Sequence, residues 1–248
     1  MTSRAASQGP RGPRSRLAWA LMALASVAGV VVLLGLGIWQ VQRLAWKTDL
    51  IARVEARLDA EAVPAPGPSS WSLINASADE YRRVSLAGNY LFEDEVLVKA
   101  VTGQGSGFWV MTPLVTADGW AAWINRGFVP DDRRSVDDRV SPEGTQELSG
   151  LLRITQPGGA FLRANDPAGK RWYSRDVEAL SATFGVSDHA PYFIDADRGD
   201  DASALPLGGL TVVSFRNNHL SYALTWFAMA AGLAAGAWYV LSRDRSQE

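Results

Sequence analysis

The sequence predicts two membrane-spanning helices that anchor an extracytoplasmic, strand-rich α+β domain, its strands forming an antiparallel sheet or a small open barrel. Three observations carry this. Leu17 to Trp39 and Leu220 to Leu241 are charge-free apolar runs of more than twenty residues each, and about 20 residues at 1.5 Å rise cross a bilayer core. From Tyr81 onward, short runs alternate apolar and polar residues between turn residues, the pattern of consecutive antiparallel strands. Charge is uneven: residues 41–216 hold 18 basic and 24 acidic residues, while the first sixteen carry four arginines and no acid.

Taken in order, the tail (residues 1–16) contains Arg4, Arg11, Arg14 and Arg16, and Arg243 and Arg245 follow the second span. Basic residues in short flanks stay on the cytoplasmic side. Both termini (1–16 and 242–248) are therefore expected in the cytoplasm, with residues 40–219 outside. The first span, 17–39, runs eleven residues past the small-residue SVA at 26–28, longer than a signal-peptide apolar core of about 7–15 residues, and reads as an uncleaved anchor. Val41, Leu44, Ile51, Val54 and Leu58 then recur at helical spacing, an amphipathic helix over 41–60. PAPGPSS, from Pro64, reads as a linker.

The strand-rich core is expected over 81–215. RRVSLAGNYL, DEVLVKAV, GFWVMTPLVT and GWAAWINRGFV are strands, with a turn at ADG (117–119). DDRRSVDDRVSPEG reads as a solvated loop, TQELSGLLRI resumes the strand pattern, and RDVEALSATFG is a short helix ending at Gly185. PYFIDADR and LTVVSF supply further strands. The second span is 220–241.

Composition removes several function classes. With no cysteine there is no disulfide, thiolate metal site or thiol redox chemistry. No serine sits in G-x-S-x-G, and His189, in the loop SDHAP, has no motif around it. The acids of DADRGDD lack the glycine and glutamate of a calcium-binding loop. A phosphate-cradling motif is absent, and an acidic outer domain argues against nucleic acid. Nothing points to an enzyme.

The start of the second span, NNHLSYALTWFAMA (217–230), is the informative stretch. His219, Tyr222, Ala223, Trp226, Ala230, Leu233 and Ala237 fall on one side at about 100° per residue. The opposite side carries Gly232 and Gly236, a GxxxG that lets another helix approach closely. An ionisable residue at a membrane boundary is a functional-site candidate, and imidazole is an axial ligand for haem iron. His219 as nitrogen ligand, Tyr222 with Trp226 as an aromatic wall, and Arg43 with Arg216 as propionate partners would suit a haem in the outer leaflet. An interfacial histidine bonding water and head groups is the other reading, and the chemistry alone leaves both open.

Four blocks in register resemble the Surf1 family. GIWQVQRLAWK (37–47) is similar to its G-x-W-Q-x-x-R-x-x-W-K signature, and YRRVSLAGNY followed by EVLVKA to its early strands. GFWVMTPLVTADGWAAWINRGFVP (107–130) resembles its T-P-L … V-N-R-G-W-V-P block, with Ile124 and Phe128 as departures. NNHLSYALTWFAMA is similar to its N-x-H-x-x-Y-A-x-x-W-F motif. The resemblance implies an assembly factor for haem-copper cytochrome c oxidase, no enzyme, that holds haem a for insertion into the catalytic subunit with His219 as ligand. A scaffold that stabilises oxidase subunits without a cofactor is the alternative. The implied partners are the lipid bilayer, the catalytic subunit and haem a synthase; the implied location is a bacterial plasma membrane. Trp39, Gln40, Asn125, Arg126 and Gly127 are motif residues with a partner-binding or structural role.

Overall fold

Two long helices bracket the chain. In the computed structural model, which describes residues 16–160, 162–201, 203–211, 215 and 217–245, the elements run α1 (Arg16–Leu58), β1 (Val63–Pro64), α2 (Ala76–Asp79), β2 (Arg83–Tyr90), β3 (Val96–Thr102), β4 (Gly105–Val115), β5 (Ala121–Pro130), β6 (Gln146–Ile154), α3 (Val177–Phe184), β7 (His189–Ala196) and α4 (His219–Arg245). They form two units, Met1–Ile51 with Phe215–Glu248, and Ala52–Ser214.

Helices α1 and α4 are both long and apolar enough to cross a membrane. With 43 residues, α1 is about 65 Å long at 1.5 Å per residue, roughly twice a hydrocarbon core. The amphipathic segment after Trp39 is thus one helix with the span. Of its expected apolar stripe, Leu44, Ile51 and Leu58 are half-buried and Val54 is buried, while Val41 faces outward. In the second unit, the Arg57 guanidinium donates to the carbonyls of Ser77 and Glu80 at 2.6 and 3.1 Å, tying down the end of the helix.

Five strands close on themselves. The order is β2–β6–β7–β5–β4, and β4 returns to β2 at Tyr90↔Leu114 and Asn89↔Val115. The barrel is therefore closed rather than open, which removes the unpaired edges an open sheet leaves. Strand β3 extends it antiparallel to β4, β1 lies parallel to β2, and β5–β7 is also a parallel pair.

The core has two layers. Inward residues of the barrel strands (Val84, Leu86, Leu114, Ala122, Ile124, Leu152, Tyr192, Ile194) form one. The other lies outside the barrel wall, where α3 covers Met111, Trp123 and Phe193 with Val177 and Leu180. Strand β5 is buried on both faces, so GWAAWINRGFV lacks a clean alternation. Trp123 is fully buried, and its indole donates to the Ser181 hydroxyl at 2.9 Å. Helix α3 begins where the Asp176 carboxylate accepts from the Ala179 amide and ends at left-handed Gly185, as the sequence suggested.

Four parts of the chain differ from expectation. PAPGPSS is no free linker: the Pro66 carbonyl accepts from the Trp71 indole (3.0 Å) and the Tyr192 hydroxyl (2.7 Å), and Trp71 packs edge-on against Trp120. Proline removes backbone donors, but its carbonyls accept from these aromatic donors. DDRRSVDDRVSPEG is not wholly solvated, because Arg139 within it is buried. Leu210, Thr211 and Phe215 of LTVVSF are not in a strand, and Val212 to Ser214 lie outside the described residues. His189 opens β7 rather than sitting in a loop.

Candidate functional site

Packing between the two long helices sets the site. A Cβ on Gly37 would lie 2.4 Å from the Phe227 ring, and one on Gly29 would lie 2.8 Å from Leu233. Phe227 and Leu233 thus fill the space these glycines leave, and Ala223 and Ala230 are buried nearby on α4. Close approach through small residues is how helices associate in lipid. Gln40 lies about one turn beyond Gly37 and is buried.

In that register Gln40 meets His219. The Nδ1 of His219 donates to Oε1 of Gln40 at 2.7 Å, across 179 residues of chain. The imidazole stands in the first turn of α4 and is half-buried. The Asn218 carbonyl accepts from the Tyr222 amide (3.2 Å) and the Ser221 hydroxyl (2.8 Å). The Asn217 side-chain oxygen faces the His219 amide at 3.5 Å. These contacts satisfy donors and acceptors that a helix start otherwise leaves open.

The other expected haem-site residues are spread around this pair. Trp226 is half-buried, and Tyr222 is 56% exposed, off the packed side of α4. Trp39 is 51% exposed, beside Gln40 in sequence. Arg43 is exposed, and its guanidinium lies 4.3 Å over the Trp46 ring. Arg216 lies outside the described residues. The structure joins His219 to Gln40, and leaves the Tyr222 and Trp39 rings on the outer surface of the helix pair. A Cβ on Gly232 or Gly236 would meet open space, so the GxxxG stripe is unoccupied by α1.

The Asn125-Arg126-Gly127 block belongs to the barrel. Val110 pairs with Gly127 and Met111 with Asn125, which makes Arg126 the extra residue of a β-bulge. A bulge re-aims a side chain, and here it sends the guanidinium over the Tyr90 and Phe92 rings at 5.3 and 4.9 Å. Arg126 donates to Glu95 Oε2 at 2.6 Å and to the Val140 carbonyl. The Thr112 hydroxyl donates to the same carboxylate oxygen at 2.7 Å, and Arg139 pairs with Oε1 at 2.9 Å. Burial pushes the Tyr90 hydroxyl beside this cluster up to about 12.

The neighbours of Arg126 are equally structural. Gly127 has φ +137°, and a Cβ there would lie 2.3 Å from the Leu207 carbonyl, so only glycine fits. The Asn125 amide donates to Asp195 at 2.7 Å. Asp195 also accepts from Arg153 (2.6 Å), Arg175 (2.9 Å) and the Thr211 hydroxyl (2.7 Å). Sequence reasoning did not single out Glu95, and it took Asp195 only as one of the acids of DADRGDD. The available signal for Asp195 was its place, at period two, on the strand face of Phe193.

Comparison with known proteins extends the resemblance over most of the chain. Residues 27–231 match the SURF1 family. The chain is 35% identical over 235 residues to Surfeit locus protein 1 of Mus musculus, covering 88% of this chain and 73% of that one. The Homo sapiens protein of the same name is 34% identical over 236 residues, covering 88% and 75%. A SURF1-like protein of Monosiga brevicollis is 34% identical over 242 residues, covering 92% and 88%. The family match takes in Gln40, the Asn125-Arg126-Gly127 bulge and His219, and the chain belongs to the SURF1 family.

Proposed function

We propose that this protein is a membrane-bound assembly factor for haem-copper cytochrome c oxidase, with haem a as cargo held at the outer leaflet for insertion into the catalytic subunit. His219 carries the reading. It is an imidazole at the end of an apolar helix, held by a buried carboxamide, where an ionisable group marks function. The donor set suits haem: one nitrogen ligand with Tyr222 and Trp226 rings on the same helix. Arg43, on the turn after Gln40, is the described cation for a propionate. With haem bound, His219 would supply the nitrogen ligand to its iron; the protein's own part is to hold that ring and to present aromatic surface.

The two spans and the arginines of their flanks favour a membrane protein with both termini cytoplasmic; its membrane is taken to be a plasma membrane, and its partners the catalytic subunit and haem a synthase. The outward GxxxG of α4 favours the second reading, a cofactor-free scaffold that docks an oxidase helix on Gly232 and Gly236. Expression alongside haem a synthesis, followed by purification in detergent, separates the two. The haem reading expects a Soret band that His219→Ala abolishes or strongly shifts. A wild-type protein without a Soret band, or an unchanged band in His219→Ala, would leave the scaffold in front. Reporter fusions at both termini and near Pro142 should read cytoplasmic, cytoplasmic and external.

A further inference from the structure

The polar contact between the two spans has a direction, and the direction selects one nitrogen. A carboxamide oxygen can only accept, so the proton of the Gln40–His219 bond sits on Nδ1 of the imidazole. In the neutral ring the lone pair then lies on Nε2. Among the described residues, Nε2 has no hydrogen-bond partner, and it is not among the enclosed, unpartnered atoms. Among the described residues it is therefore an accessible lone-pair donor without a partner, at the start of an apolar helix.

We infer that Gln40 is a positioning residue that holds His219 in the Nδ1–H tautomer and presents Nε2 as the ligating nitrogen. The claim about iron rests on the haem reading above; the claim about the ring does not. The location of Gln40 is the second support. A carboxamide buried on an otherwise apolar helix face is unfavourable unless paired, and its partner here is the imidazole that begins α4. Register is supplied independently by Phe227 on Gly37 and Leu233 on Gly29, so the hydrogen bond is not needed to align the helices.

The choice of a neutral acceptor has a chemical consequence. A carboxylate behind a metal-bound histidine raises its basicity and strengthens the bond to the metal. A carboxamide fixes the same tautomer with less electron donation and places no charge within the apolar pair. Such a ligand is oriented yet releasable, which suits a protein that hands its haem on.

The test uses the full chain in detergent micelles with 15N-labelled histidine. The sequence has two histidines, so a His189→Gln control assigns the ring signals. In the haem-free wild type, His219 should show a protonated Nδ1 and a bare Nε2. Gln40→Leu, of similar size, should shift the ring toward the other tautomer, and Gln40→Glu should restore Nδ1–H. Haemin titration should then show about ten- to hundred-fold weaker binding for Gln40→Leu. Gln40→Glu should bind haemin at least as tightly as wild type and transfer it more slowly to apomyoglobin. A protonated Nε2 in the wild type, or a tautomer unmoved by Gln40→Leu, overturns the inference. Haemin binding that depends on His219 but is equal in wild type and Gln40→Leu overturns it as well. If the tautomer responds as expected while wild type binds no haemin, Gln40's control of the ring stands and the haem reading falls.

Discussion

The barrel and the helix pair use buried polar side chains in opposite ways. In the barrel they form dense clusters, within which the buried Nε of Arg139 lacks a partner among the described residues. Asp195 accepts from Arg153, Arg175, Asn125 and Thr211, and Glu95 accepts from Arg126 and Thr112 and is ion-paired with Arg139. Each cluster joins strands or loops far apart in sequence, and removing its carboxylate leaves buried guanidinium groups short of a counterpart. In the helix pair, glycine and alanine contacts set the packing, and the Gln40–His219 bond leaves one ring nitrogen open. The barrel's two carboxylates have their partners supplied from within the fold, whereas the His219 ring keeps Nε2 without a partner among the described residues. The Asn125-Arg126-Gly127 block is thus tied into the barrel, while His219 is the residue on which the proposed haem role rests.

That contrast can be broken most directly at Asp195. Asp195→Ala leaves the buried Arg175 without its carboxylate partner, while Arg153 keeps Glu80 at 2.8 Å, and should cost the barrel about 3–5 kcal/mol, read by chemical denaturation in detergent through tryptophan fluorescence. A loss below about 1 kcal/mol would deny the cluster its structural role. Gly127→Ala comes next: the positive φ and the Leu207 contact should cost at least about 2 kcal/mol. Arg126→Ala should cost about 1–3 kcal/mol, the range for a buried group left short of a partner. Arg139 keeps Glu95 paired in this variant, which limits the loss. In cells, Arg126→Ala should lower oxidase maturation in step with the amount of folded barrel. Maturation lost at normal barrel stability would instead make Arg126 a partner contact.

Alkaline pH sharpens the comparison further. The Tyr90 hydroxyl is pushed up to about 12 by burial, and burial raises Tyr192 in the same direction. An unfolded tyrosine ionises near about 10. Above that pH the unfolded chain loses protons that the folded barrel keeps, so stability is full below about 10 and falls as pH rises toward about 12. Tyr90→Phe should flatten this slope in melts recorded between pH 9 and about 11.5. The smallest effect is expected at His219: His219→Leu should change barrel stability by less than about 0.5 kcal/mol, while removing any haem signal. A larger destabilisation would place His219 among the structural groups.

Much of the fold was legible from local pattern. Both spans, the strands of the barrel and the cap of α3 at Gly185 depend on run length, period and turn residues, which a few consecutive positions carry. The proline-rich segment was misread because composition reports the loss of backbone donors but not that Trp71 and Tyr192 donate to Pro66. The solvated reading of DDRRSVDDRV failed at Arg139, since sign balance within a loop says nothing of a carboxylate at Glu95. At the site, His219 was recognisable by its residue type and position. Gln40 was recognisable only as a motif member, because nothing near it in sequence identifies a partner 179 residues away.

The sequence by itself determined that this chain has two apolar spans around a strand-rich domain, and that an imidazole heads the second span. These follow from hydrophobic periods and residue chemistry, which act over one helical turn or one strand. Tertiary structure alone decided that β4 returns to β2 to close the barrel, that the bulge aims Arg126 at Glu95, and that Gln40 faces Nδ1 of His219. Hydrogen bonds hold only within a few tenths of an ångström of their ideal length. Such geometry between distant residues exists only after packing, here Phe227 against Gly37 and Leu207 against Gly127, has set the register.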